Sequence, residues 1–197
     1  MKKQILSLAI FLSILIPCNA FSKYINFGAA LSSGFNIHSA EDEARTQPLN
    51  TDSAAAKILI GANADATFGI TEPLQLITGA DLFCDFNYKD KYYYNTFDYS
   101  FYAGIRIFPN LQGLNFSVSY ALGCRTDYLK YVNEEEDFIR GYSFAKWGNG
   151  FRLSAEYIFL LDSETKFKPF MGFYYRYIPR GNNLFDNILT AYVGVRF

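Results

Sequence analysis

Long hydrophobic runs are the first thing this 197-residue sequence lacks. After Ile16 no stretch approaches the roughly 18 consecutive apolar residues of a membrane-spanning helix, so a chain that crosses a bilayer here must cross it as strands. Histidine and tryptophan occur once each, at His38 and Trp147. A lone histidine beside a long polar stretch reads as a solvated side chain; only if the fold brought it to Asp98 and Ser100 would it complete a serine–histidine–acid set. Neither sign of charge dominates, with 18 Lys and Arg against 19 Asp and Glu, and this excludes nucleic acid as a partner. Walker A, GxSxG, HExxH, paired CxxC and Rossmann glycine patterns are all missing, so no catalytic residue, metal or cofactor is expected.

Cysteine is scarce as well, three in all. Cys18 belongs to the leader MKKQILSLAIFLSILIPCNA, where Lys2 and Lys3 form the positive region, residues 5–16 the apolar region, and Ala20 the small residue before a cut. Pro17 before Cys18 makes this a poor lipoprotein signal. Residues 1–20 are therefore expected to be a cleaved signal peptide and residues 21–197 one domain. In the alternating pattern described next, Cys84 and Cys124 fall on strands separated by a third and face outward, about 10 Å apart. That is beyond disulfide reach, so both should be free thiols.

What the sequence has in abundance is aromatic residues, 16 Tyr and 20 Phe, arranged with a period of two. Eight segments, 24–37, 57–70, 75–89, 96–108, 115–129, 150–161, 167–178 and 185–197, each set bulky apolar residues on one parity and Gly, Ala, Ser, Thr and charges on the other. Each exceeds the ~9–11 residues a tilted strand needs to cross a bilayer. Connections alternate between short ones at 71–74, 109–114 and 162–166 and mostly longer ones at 38–56, 90–95, 130–149 and 179–184. A soluble barrel would hide the bulky set. The glycine-rich polar set makes a poor water-facing surface, however, and an eight-stranded barrel has an interior only wide enough for side chains to fill it. The aromatics add an orientation: Tyr88, Tyr93, Tyr128, Phe151, Tyr175 and Tyr177 gather toward the long connections, and Phe27, Phe68, Phe116, Phe159 and Phe197 toward the short ones, as interfacial girdles do.

The last eight residues, TAYVGVRF, carry a resemblance. With Val193, Val195 and the terminal Phe197 on one face they resemble the C-terminal assembly signal of bacterial outer-membrane proteins, departing from it at Tyr192. The whole chain after residue 20 is similar in length and strand plan to the small eight-stranded outer-membrane barrels of the OmpA, OmpX and OmpW types. This implies an all-β, eight-stranded, antiparallel up-and-down transmembrane β-barrel in the outer membrane of a diderm bacterium. It also implies outer-membrane lipids, periplasmic chaperones and the barrel-assembly machinery as partners, and a monomer.

Within such a barrel the inward parity carries Asp65, Asp81, Asp85, Asp98, Asp127 and Glu156 against Arg106, Arg125, Arg152, Arg176 and Arg196. Charges so nearly balanced read as a network of buried pairs filling the lumen. A sharper reading makes Asp81, Asp85, Arg152 and Glu156 a gate that exchanges partners. The acidic runs Glu41–Glu43 and Glu134–Asp137 read as solvated loops, available to an external ligand. The expected role is a non-enzymatic, surface-exposed membrane protein, structural or adhesive. Alternatives are a narrow OmpW-like channel, needing an apolar pocket from Tyr102, Leu129, Phe170 and Tyr174, and a lipid-modifying barrel enzyme built on His38.

Overall fold

The computed structural model describes residues 25–37, 56–71, 73–89, 92–109, 113–132, 138–144, 147–159, 166–181 and 184–197. The alternating sequence becomes nine strands: β1 (Ile25–Ile37), β2 (Ala56–Thr71), β3 (Leu74–Lys89), β4 (Tyr92–Ile107), β5 (Leu114–Val132), β6 (Phe138–Phe144), β7 (Gly148–Ile158), β8 (Lys168–Gly181) and β9 (Leu184–Arg196). All pairings are antiparallel, and among the described residues no helix is long and apolar enough to cross a membrane. β9 returns to β1, from Gly28↔Arg196 up to Ile37↔Asn187, so the sheet closes on itself. Closure removes the strand edges that would otherwise face lipid.

β6 and β7 are two lengths of one stave. β5 pairs with β7 as far as Gly123↔Gly148, and then with β6 from Thr126↔Phe144 to Val132↔Phe138. Three steps along β5 are matched by four along its partner, a one-residue bulge, and the barrel has eight staves. The sequence pattern placed residues 130–149 in a loop; instead β5 runs on to Val132 and β6 pairs back along it. Two other connections are also shorter than expected. β3 and β4 extend until only residues 90 and 91 join them, with Tyr88 opposite Tyr93, and β8 reaches Gly181, leaving residues 182 and 183 before β9. Gly181 takes a φ of 78° at this turn, and Gly113 one of 83° just before β5, in the left-handed region that side chains disfavour. The end bearing β6 and these long hairpins is called the upper end below.

Burial is inverted relative to a soluble barrel. Phe35 and Leu31 are 73% and 68% exposed, while Arg106, Arg125, Arg152 and Arg176 are at most 2% exposed. A belt of this kind is stable only in hydrocarbon. Aromatic pairs mark both rims: Tyr88 and Tyr93 lie 4.7 Å apart above, as Phe27 and Phe197 lie 6.2 Å apart below. The inner face is not wholly polar: Ile77, Phe83, Ile158, Ile178 and Ile188 break the binary pattern and pack inside. The leader 1–20, His38 and the acidic runs at 41–43 and 134–137 lie outside the described residues.

Candidate functional site

Twelve of the described lumen charges fall into three layers, each with as many arginines as carboxylates. In the lower layer Arg196, on the last strand, reaches across β1 to Asp65 on β2, with Nη1 to Oδ1 at 2.7 Å, and also donates to Glu156 on β7 at 3.0 Å. Arg106 on β4 approaches the same carboxylate at 3.4 Å, and Tyr192 donates its hydroxyl to it at 3.3 Å. Two arginines thus face two carboxylates.

The middle layer is one pair in an aromatic clamp. Arg152 Nε donates to Asp81 at 3.2 Å, and its guanidinium lies 4.3 Å from the centre of the Tyr102 ring and 4.2 Å from that of Tyr174. Stacking of this kind suits the planar guanidinium and adds to the ion pair where water is excluded.

The upper layer sets three arginines against three aspartates. Arg176 donates to Asp98 and to Ser100, both at 2.5 Å, across the barrel from β8 to β4. Arg180 binds Asp186, Asp98 at 3.2 Å and the Gly123 carbonyl at 2.5 Å. Arg125 joins Asp186 at 3.2 Å and Asp127 at 2.9 Å, and Thr96 donates to Asp127 at 3.2 Å. Near the top of β3, Asp85 accepts from Asn87 at 2.9 Å.

No protein-family model matches the chain, and no curated protein matches it. Solved structures do resemble it. The attachment invasion locus protein Ail of Yersinia pestis is 12% identical, with 88% of this chain and 96% of that one covered at a TM-score of 0.51. Neisserial surface protein A is 13% identical over 87% and 94%, TM-score 0.50. The translocator domain of the autotransporter NalP from Neisseria meningitidis is 8% identical over 99% and 97%, TM-score 0.50. Identities this low speak to the fold.

That fold is the small outer-membrane β-barrel.

Inside this barrel all eleven charged residues singled out by parity face the lumen, but they do not form one set. The suggested exchange group is divided: Arg152 meets Asp81, Glu156 belongs to Arg196 and Arg106, and Asp85 to Asn87. Two members stand outside that set, Arg180 because the pattern places residues 179–184 in a connection, and Asp186 on the segment 185–197. The signal was present, since Arg180 continues the even parity of Arg176 and Ile178. Of the residues suggested for an apolar pocket, three carry stacked arginines. Tyr102 and Tyr174 are occupied by Arg152, and Phe170 lies beneath Arg196, 5.0 Å from its guanidinium. The Leu129 side chain lies outside the described residues.

The barrel keeps Cys84 and Cys124 as free thiols, Cys124 being buried opposite Tyr99, on which Trp147 packs edge-on at 5.6 Å. Val193, Val195 and Phe197 point outward. Phe197 exchanges backbone hydrogen bonds with Phe27, at 2.7 and 2.8 Å, and joins the lower girdle beside Phe167.

The middle clamp sets a stacked guanidinium between two tyrosine rings inside the lumen. Arg152→Ala removes both the stacked cation and the partner of Asp81. In planar bilayers this variant is expected to give discrete conductance steps that the parent lacks; equally silent traces from the two would place the block elsewhere in the lumen.

Proposed function

We propose that this barrel is a non-enzymatic integral protein of the outer membrane that makes contacts at the cell surface through its upper end. The observation that carries the reading is the upper β5–β6 pairing. Among the described residues β6 pairs with β5 alone and no described strand pairs with its other edge, the arrangement by which a sheet accepts a further strand. The lumen supports the same reading from the other side, because twelve of its described charges are paired with one another. Outer-membrane lipids surround the belt, and the face of Val193, Val195 and Phe197 is the natural recognition element for chaperones and the assembly machinery. The name of one similar barrel, an attachment invasion locus protein, is in keeping with a surface role.

The test is display on intact diderm cells with an epitope tag inserted between Val132 and Phe138. Antibody should reach the tag without permeabilisation, the membrane-fraction protein should shift in gel mobility on boiling, and displaying cells should adhere to epithelial monolayers above the empty-vector level. A tag reached only after lysis would sink the reading, and so would adherence no greater than the vector.

A further inference from the structure

The ladder between β1 and β2 stops partway up the wall. Among the described residues its last rung is Ser32↔Gly61, although β1 continues to Ile37 alongside β9 and β2 reaches back to Ala56 alongside β3. At ~3.3 Å per residue and a tilt of ~40°, Ser32 stands about 13 Å above Phe27, at the middle of an apolar band about 25 Å tall, so the seam opens within hydrocarbon. A break in the ladder at that depth leaves backbone polar groups without the partners that a closed barrel otherwise gives them. One side chain crosses it: Ser33 donates its hydroxyl to the Leu59 carbonyl at 2.9 Å.

The sector of the lumen behind the seam differs from the rest. All six members of the upper ionic layer come from β4, β5, β8 and β9. On β2 and β3 it is Leu59 and Phe83 that face inward, and with Ile188 on β9 they belong to one apolar cluster. The Phe83 ring lies across Gly61 toward Ser32, since a Cβ at Gly61 would collide with both. Phe83 thus covers the last rung from the inside, where β2 itself supplies no side chain. Beside it the Ser32 hydroxyl faces the lumen, with the residue 7% exposed and the oxygen without a hydrogen-bond partner. A lone polar group among buried apolar side chains is the usual makeup of a site for a small, mostly apolar molecule.

We propose that the seam is a lateral portal through which a small apolar molecule carrying a hydrogen-bond acceptor passes from the bilayer into this sector of the lumen. Ser33 is its latch, Phe83 its inner door, and the Ser32 hydroxyl the donor that meets the acceptor. The inference rests on the exterior being lipid-facing. Three features that a plain wall does not need coincide here: a ladder broken in hydrocarbon, an apolar lining in a lumen otherwise rich in charge, and an unpartnered buried hydroxyl. The route also bypasses the upper ionic layer, where an apolar molecule would have to leave buried charges unpaired.

Lipid-phase thiol labelling of the full chain in phosphatidylcholine vesicles, with its three cysteines replaced by serine, tests this. The probe is N-phenylmaleimide, which is small, apolar and bears carbonyl acceptors. A reporter at Ile188→Cys should be labelled, while Ile178→Cys, on β8 and nearer the upper hairpin, should not; both positions are at most 1% exposed. Cys84 retained alone on the outer face of β3 sets the rate for a lipid-facing thiol. Adding Ser33→Ala should speed labelling at Ile188→Cys about fivefold, the effect of losing one ordinary hydrogen bond. Leu59→Cys, on the other flank of the seam, is the second reporter should the first not fold. Reporters unlabelled on both flanks, or Ile178→Cys labelled as fast as Ile188→Cys, overturn the portal. So does labelling by a charged, membrane-impermeant maleimide at the same rate, or a rate untouched by Ser33→Ala. Boiling-dependent mobility of every variant separates a wall without a portal from a barrel that failed to form.

Discussion

Glu156→Ala is expected to lose about 3–5 kcal/mol of folding stability, the range for stripping one partner from a buried ion pair. Glu156 is 2% exposed and accepts from Arg196, Arg106 and Tyr192, so its removal leaves cationic groups in a medium that cannot solvate them. Asp65 still holds Arg196 at 2.7 Å, but among the described residues no other acidic partner is in ion-pair contact with Arg106. Adding Arg106→Met to Glu156→Ala should therefore recover part of the loss, since an apolar replacement of a buried ion removes its desolvation penalty. Urea titration of the protein refolded in lipid vesicles, followed through the emission of its single tryptophan, Trp147, measures both. A Glu156→Ala midpoint equal to that of the parent would show that the lower layer is solvated well enough to do without its carboxylate.

The second large effect is steric. Gly28 lies on β1 beneath the bridge that Arg196 throws from β9 to Asp65 on β2. A Cβ built at Gly28 would stand 2.9 Å from Asp65 Oδ2 and 3.3 Å from Arg196 Cζ. Those atoms end flexible side chains and can yield to one methyl, so Gly28→Ala should cost no more than about 1 kcal/mol, a typical value for a tolerated substitution. Gly28→Val fills the space the guanidinium occupies and should break the bridge, at a cost of about 3–5 kcal/mol by the same buried-pair argument. The ordered pair of variants distinguishes this account from a backbone requirement for glycine, under which alanine and valine would be equally harmful. The same vesicle titration reads it, and equal losses would refute the steric explanation.

Parity made the barrel legible. One face of each segment reads as a lipid belt because Leu31, Val118 and Phe173 alternate with Ser32, Ser119 and Gly172, and burial follows that alternation strand by strand. Strand ends were harder to see. At the β3–β4 hairpin the run from Tyr92 to Asn95 is polar and aromatic on both parities, so nothing in its pattern separates strand from tip; it is the continuous pairing with β3 and β5 that makes it strand. β6 was hidden for a related reason, since the bulge between it and β7 shifts the parity by one and breaks the period that would have joined them. Inside the lumen, composition announced balanced charge but not its partition. Which carboxylate meets which arginine depends on tilt and stagger, and these carry Arg196 over a glycine to Asp65 and send Arg176 across the barrel to Asp98.

The three-layer arrangement has a consequence for how such a chain can change over generations. Because each layer sums to zero by itself, an altered charge can be compensated only by another change at the same height, and the remaining heights are indifferent to it. Descendants of this sequence should vary in blocks: Asp65, Arg106, Glu156 and Arg196 together, Asp81 with Arg152, and the upper six as a third group. Energetic coupling should follow the same division, with double substitutions interacting inside a block and adding independently between blocks.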